Sequence, residues 1–256
     1  MLQSLKKLFL AGGVKAIETS SIQGRKPAQE DSFYVSEIKY GRRLVFVADG
    51  VGGHGHGDFA SQKTVEIFDY EFNRMAEDES VTDFLRKTTL KAANQVLNKC
   101  KEDESYKNCG TTISGFMISG NAYYTINVGD SRVYLWNDGV LSRETHDHSI
   151  VQQLLDSGQI NEEEAFTHPK RNMMTSAIGQ DLQMMKVDIS DPKPLVAGDV
   201  LMAFSDGVHD ALTDNQIFQI VKKMKSSNGL AEELTSQAYN AGGKDNITAV
   251  IFRYLG

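Results

Sequence analysis

Five hydrophobic runs, each with acid at its edge, constrain this 256-residue chain more than any other feature. The runs are Ser32 to Val35, Leu44 to Ala48, the stretches on either side of Asp130, Val200 to Ser205, and Ile247 to Tyr254. Their acids are Glu30 with Asp31, Asp49, Asp130, Asp206 and Asp245. Such β-branched and aromatic composition predicts strands. Strands packed together bring their ends to a common rim, so acids far apart in sequence can converge there. Converging carboxylates repel unless cations join them, and a ligand set made only of oxygen selects hard ions, Mg2+ or Mn2+. The pattern points to a metal cage.

Taken singly, each acid has a simpler reading. Asp-Gly is a common turn former, and Asp138-Gly139 is a hairpin signal that needs no other explanation. Asp49-Gly50 and Asp206-Gly207 differ because both follow buried-looking runs, where an acid needs a partner or a cation to offset its desolvation. The stretch Gly50-Val51-Gly52-Gly53-His54-Gly55 also matches the G-x-G-x-x-G of dinucleotide-binding folds. A run with this many glycines meets that pattern easily, and Arg74 to Lys99 reads as polar then helical where a second parallel strand is required. His54 and His56 raise zinc as an alternative, but flanking glycines and distant acids fit a loop better.

Composition is that of an ordinary globular enzyme. Hydrophobic residues make up 40%, enough for a core, and four prolines with no Pro-, Gly- or Ser-rich stretch argue for one domain spanning 1–256. The formal charge of −7 speaks against a nucleic-acid surface, and Lys222, Lys223 and Lys225 read as a solvated helix face. Cys100 and Cys109 read as free thiols, which points to a reducing compartment and a cytoplasmic protein. Met1 to Ala11 faintly imitates a signal peptide, but its apolar run is short. No stretch approaches the roughly 20 apolar residues of a membrane span.

The coarse order of elements is strands, helices, then strands and helices again. Helical spacing covers Asp58 to Asn73, with Asp58 as cap, and Val81 to Lys99. Three or four strands joined by tight turns, a meander, run from Thr111 to Leu141. Ser149 to Ser157 reads as a helix, Gly158 to Lys193 is mixed, and Asp214 to Lys225 and Leu230 to Tyr239 are two further helices. The last strand, Ile247 to Tyr254, is expected to be central.

Six stretches, in order, carry a family resemblance. They are Gly24-Arg25-Lys26-Pro27-Ala28-Gln29-Glu30-Asp31, Val47-Ala48-Asp49-Gly50-Val51-Gly52-Gly53-His54, Cys109-Gly110-Thr111-Thr112, Val128-Gly129-Asp130-Ser131-Arg132, Phe204-Ser205-Asp206-Gly207-Val208 and Lys244-Asp245-Asn246-Ile247-Thr248. Together they resemble the motifs of metal-dependent PP2C-type (PPM) serine/threonine phosphatases, bacterial members in particular. The resemblance implies an α+β fold: a four-layer αββα sandwich of two mostly antiparallel sheets flanked by helix pairs, with the metal site at one end. It also implies hydrolysis of phosphoserine and phosphothreonine monoesters in proteins by a metal-activated water. The alternatives are a catalytically silent scaffold or sensor, which intact metal residues argue against, and a phosphatase of small phosphomonoesters.

Carried over by position, the resemblance makes Asp49, Asp206 and Asp245 the catalytic core of the cage. Asp49 bridges two Mn2+ or Mg2+ ions, the Gly50 carbonyl ligates the second, and Asp206 with Asp245 completes the first. Glu30 and Asp31 act through water, Asp130 helps Asp206 hold a weaker third ion, and Asn246 supports the cage. Two positions depart from the family pattern. Lys26, with Arg25 beside it, stands where many members have a phosphate-binding arginine, and lysine lacks the two-point fork. Val51 stands where animal members have a histidine acid, which leaves His54 or a water near Asp130 as proton donor. Thr145 to Ser149, His168 to Asn172 and Ala177 to Gly179 resemble the flap subdomain, at approximately 145–195, which borders the cleft. The implied partners are phosphoproteins that a serine/threonine kinase modifies, with no nucleic acid and no membrane, and the expected state is a monomer.

Overall fold

Leu44, Phe46 and Ala48 face one hydrophobic layer while Val45 and Val47, between them in sequence, face another. A strand buried on both faces has no polar side to show, which is why this run reads as continuously apolar. The computed structural model that reveals this describes residues 16–52 and 56–256.

The strands, in chain order, are β1 (Ile17–Ile22), β2 (Ser32–Val35), β3 (Arg42–Ala48), β4 (Gly50–Val51), β5 (Gly110–Thr111), β6 (Ile113–Ser119), β7 (Ala122–Val128), β8 (Arg132–Asn137), β9 (Val140–Arg143), β10 (Asp188–Ile189), β11 (Lys193–Pro194), β12 (Val200–Phe204) and β13 (Ile247–Arg253). The helices are α1 (Gly57–Phe72), α2 (Val81–Glu102), α3 (Ile150–Asp156), α4 (Glu162–Phe166), α5 (Asp206–His209), α6 (Asp214–Met224) and α7 (Leu230–Asn240). One sheet has the order β10-β7-β6-β3-β2, with β11 also on β7, and the other has β1-β13-β12-β8-β9. All pairings are antiparallel. Helices α1 and α2 cover the first sheet, α6 and α7 cover the second, and the inner faces meet through Val45, Phe116, Val133, Leu201 and Val250. This is the four-layer αββα sandwich.

Local sequence explains the covering helices. In α2 the buried positions Val81, Phe84, Leu85, Thr88, Ala92 and Val96 recur at helical spacing, and the Ser80 side chain accepts from Asp83 N to cap the first turn. Thr213 and Gln216 form a reciprocal capping box at α6.

Several expectations need correction. The stretch Thr111 to Leu141 is not one meander, because β6 and β7 lie in one sheet and β8 and β9 in the other. The chain changes sheets at Gly129-Asp130, a step invisible to a pattern that reports only local alternation. Asp58 does not cap α1: His56 holds that position without a side-chain cap bond, and Asp58 lies in the first turn, where a negative charge still favours the helix dipole. The mixed segment resolves into α4, with an Asn161-Glu164 capping box, and the short strands β10 and β11 on β7. The last strand is interior but second from its sheet edge. Cys100 and Cys109 are free thiols whose sulfurs lie 2.8 Å apart. Among the described residues no helix is long and apolar enough to cross a membrane. Met1 to Ala11 and His54 lie outside the described residues.

One buried ion pair ties the chain ends together. Arg253 Nη1 lies 2.6 Å from Glu18 Oε1, both side chains being almost fully buried. Glu18 Oε2 accepts from Gly229 N at the start of α7. Glu18→Ala should therefore destabilise the fold by roughly 3–5 kcal/mol, because it removes the counter-charge of a buried guanidinium. Denaturant unfolding measures this, and a loss near the ~0–1 kcal/mol of a surface pair would contradict it.

Candidate active site

Antiparallel register brings the acids together. Ser32 pairs with Ala48, so Asp31, just before β2, and Asp49, just after β3, emerge at the same sheet edge. In the other sheet Phe204 pairs with both Ala249 and Arg132. That places Asp206 past the end of β12, Asp245 ahead of β13 and Asp130 ahead of β8 at one end. Because the sheets are stacked, the two sets of ends form a single rim. Asp31, Asp49, Asp130, Asp206 and Asp245 interact there through their charges.

The environment of Asp31, Asp49, Asp130 and Asp206 penalises ionisation. Burial pushes the Asp31 carboxyl up to about 6, against hydrogen bonds to its Oδ2 from Thr248 Oγ1 (2.6 Å) and Ser205 Oγ (2.8 Å). Burial and the charges of Asp206, Asp31 and Asp130 hold Asp49 well above the usual carboxylate range. Asp206 is raised likewise, by burial and by Asp130 and Asp210. It opens in part to a cavity, yet its Oδ1 is buried without a partner, as is Oδ1 of Asp31. Burial and the charges of Asp147 and Asp210 push Asp130 up to about 7.

Backbone contacts aim these side chains. Asp49 N donates to Thr112 Oγ1, and the Asp49 carbonyl accepts from Thr111 Oγ1 and Thr112 N, each at 2.9 Å. The threonine pair thus acts as the clamp on Asp49. A Cβ on Gly50 would lie 2.4 Å from Gly57 O and 2.5 Å from Glu30 O, so only glycine fits between the α1 start and the β2 approach. Gly207 meets the same limit, since its Cβ would lie 2.0 Å from Asn246 O. Glu30 Oε1 accepts from Gly57 N, and Asn246 accepts from Glu30 N while donating to Gln23 O and Ala28 O. Asn246 is therefore the brace between the Glu30 and Asp245 segments.

The two basic positions separate. Lys26 Nζ lies 2.9 Å from Asp245 Oδ1. Burial pulls its ammonium pKa down, but Asp245, Asp206 and Asp49 outweigh this and leave it raised. Arg25 is exposed and stacks 5.4 Å over Tyr239, so its resting position is away from the rim.

Beyond Asp130 the site borders residues that sequence reasoning did not single out. Arg132 grips Asp147 through Nε and Nη2, and Arg143 Nη2 lies 2.6 Å from the same carboxylate. This anchors the segment that leads to α3 against β8 and β9. His209 and Asp210 follow Asp206 through α5, and burial pulls the His209 imidazole well below its usual pKa. The Gly-Asp-Ser-Arg run contained Arg132, but its partner Asp147 lies in a different motif, and nothing local links them.

The donor set fits hard divalent cations. It is all oxygen, strongly negative, and includes two buried oxygens with no partner. Among the described residues no group of three or more His, Cys, Asp and Glu side chains stands in metal-binding geometry as it is. Asp31 and Asp245 are instead turned toward Ser205, Thr248 and Lys26. The fit is one of donor chemistry and charge.

The model of the protein phosphatase 2C family matches residues 19–238. The chain belongs to that family. The serine/threonine phosphatase Stp of Listeria monocytogenes is 31% identical over 226 residues, which cover 87% of this chain and 88% of that protein. The crystal structure of Stp1 from Staphylococcus aureus, 28% identical, superposes with a TM-score of 0.86 over 94% of this chain and 95% of that one. The catalytic domain of PstP, solved in complex with two manganese ions, gives a TM-score of 0.80 at 26% identity, over 94% and 98% of the two chains. This member is a bacterial-type protein serine/threonine phosphatase.

The raised carboxyls set a pH dependence. Each binds a proton in the folded state that it lacks in the unfolded state between its ordinary value, about 4, and its raised one. Their contribution to stability is complete below about pH 4 and is lost as pH rises through about 6 for Asp31 and about 7 for Asp130. Chelator-treated protein should therefore melt at a lower temperature at pH 8 than at pH 6, and Mn2+ should shrink the difference. Equal melting temperatures with chelator present would contradict this assignment.

Proposed function

We propose that the acid rim holds divalent cations, Mn2+ or Mg2+, two tightly and a third more weakly, and hydrolyses phosphoserine and phosphothreonine in proteins there. The observation that carries this is the convergence of Asp31, Asp49, Asp130, Asp206 and Asp245, with unpartnered buried oxygens on Asp31 and Asp206. The manganese ions of the PstP domain support the same reading. When bound, the cations supply Lewis acidity that lowers the pKa of water and neutralises phosphoryl oxygens. Asp49, the Gly50 carbonyl, Asp206 and Asp245 are the proposed inner ligands. Glu30 and Asp31 contribute through water, Asp130 shares the weaker ion with Asp206, and Asn246 braces the ligand loops. Lys26 offers its ammonium to the phosphate from the edge of the rim.

In this proposal residues 1–256 form one catalytic domain with 145–195 as its flap. It works as a cytoplasmic monomer that opposes a serine/threonine kinase. The free thiols Cys100 and Cys109 support a reducing compartment.

Release of phosphate from phosphothreonine peptides tests the cage. Chelator-treated enzyme should be inactive and should recover with Mn2+ or Mg2+. Asp206→Asn should fold, since it relieves repulsion, but lose about a hundredfold or more in turnover, roughly 2.7 kcal/mol of transition-state stabilisation. Wild-type turnover in Asp206→Asn at saturating Mn2+ would sink the assignment.

The phosphate anchor has its own test. Lys26 stands beside Asp245 whereas Arg25 lies on Tyr239, so Lys26→Ala should cost more than Arg25→Ala. Loss of a charge-assisted contact corresponds to roughly 1.5–3 kcal/mol, or about tenfold to a hundredfold in kcat/KM. The opposite order in phosphopeptide kinetics would transfer the role to Arg25.

A further inference from the structure

A cavity of about 640 Å3 adjoins the acid rim through Asp130 and Asp206 and extends beyond it to α4 and the start of α6. It runs between α3 and α4 on one side and the start of α6 on the other. Its size is that of a ligand site rather than a packing defect. Because it opens from the reacting end of the molecule, a substrate whose phosphate sits at the rim has this space beside it.

The chemistry of the walls narrows what fits. Val151, Leu155, Phe166 and Leu212 give an apolar lining, while Glu162 and Glu163 stand exposed on the wall formed by α4. Among the described residues the arginines of the lining, Arg132 and Arg171, are the cations there, and they are engaged by Asp147 and Asp210. Asp214 is likewise occupied, accepting from Tyr134 Oη at 2.8 Å. Among the described residues nothing pairs with Glu162 or Glu163, which give the cavity negative charge away from the rim. His209, which hydrogen-bonds the Asp130 backbone, also lines the cavity, and its Nε2 is a buried nitrogen with no partner.

We propose that this cavity is a substrate subsite that receives a basic side chain, arginine above all, neighbouring the phosphoserine or phosphothreonine in sequence. Arginine combines an aliphatic stem suited to the Val151, Leu155 and Phe166 surface with a guanidinium that can fork onto carboxylates. An acidic neighbour would meet Glu162 and Glu163 as like charges. The subsite rests on hydrolysis at the rim as read above, and it assigns that site a preference the rim alone does not supply.

The test compares phosphothreonine peptides that differ at one flanking position, carrying Arg, Ala or Glu there, with Mn2+ present. The wild-type enzyme should favour Arg over Ala by about tenfold in kcat/KM at one flanking position or more, the effect of a charge-assisted contact. The Glu peptide should be the poorest. In the E162Q/E163Q double variant the ratio of Arg to Ala should fall to about 2 or less. In E162R/E163R the Glu peptide should become the better substrate. Both side chains are exposed and the Asn161-Glu164 capping box is untouched, and E162Q/E163Q adds no positive charge to the α4 start. Ratios taken within one variant cancel any shared change in the chemical step. Equal kcat/KM for Arg and Ala peptides in wild type, or a ratio unchanged in E162Q/E163Q, would overturn the subsite while leaving hydrolysis intact. Failure to release phosphate from any peptide would instead overturn the hydrolytic reading, and the subsite with it.

Discussion

The mutual repulsion of carboxylates held in a poorly hydrated rim is the constraint around which this protein is arranged. Asp31, Asp49 and Asp130 are buried there, with Asp206 and Asp245 half-buried beside them. Burial together with neighbouring carboxylates, Asp245 for Asp31 and Asp147 and Asp210 for Asp130, raises Asp31 to about 6 and Asp130 to about 7. No apolar core tolerates such a cluster by default. The two stacked sheets tolerate it because strand ends, unlike strand centres, leave carboxylates facing outward while the backbones behind them stay paired. A fold with its acids at strand ends can therefore concentrate negative charge without interrupting a ladder.

Small polar residues and glycines make that concentration specific. Thr111 and Thr112 clamp the Asp49 backbone, Ser205 and Thr248 orient Asp31, and Asn246 braces two loops at once. Gly50 and Gly207 let backbones approach to distances that any side chain would forbid. These residues carry no charge themselves. They fix where each carboxylate points, and for a site built from point charges a small misplacement is costly.

The side of the rim beyond Asp130 follows a different logic. There the negative charges are partnered: Arg132 and Arg143 share Asp147, and Arg171 meets Asp210. This guanidinium network joins β8 and β9 to the segment that carries α3 and α4. It gives the wall of the neighbouring cavity a defined position, so that substrate chemistry and substrate choice are served by adjacent but distinct sets of charges.

Much of this was legible in the chain itself. The apolar runs of β3, β12 and β13 announced strands, each carried its acid at the edge, and the helices α1, α2, α3, α6 and α7 were legible as helical segments, because all of these are encoded within a few residues. The ordered motifs likewise identified the family. The crossing between sheets at Gly129-Asp130 was not legible, because a tight turn reads alike whether the next strand stays in the sheet or leaves it. Nor were the clamp of Thr111 and Thr112 on Asp49, the pairing of Arg132 with Asp147, or the orphaned nitrogen of His209. Sequence alone determined which residues could serve as strand, cap and ligand, since those properties belong to the residue and its neighbours. Tertiary structure decided which acids share one rim, which are neutralised by arginine, and where a cavity opens beside them, since each depends on distances between segments that no local pattern records.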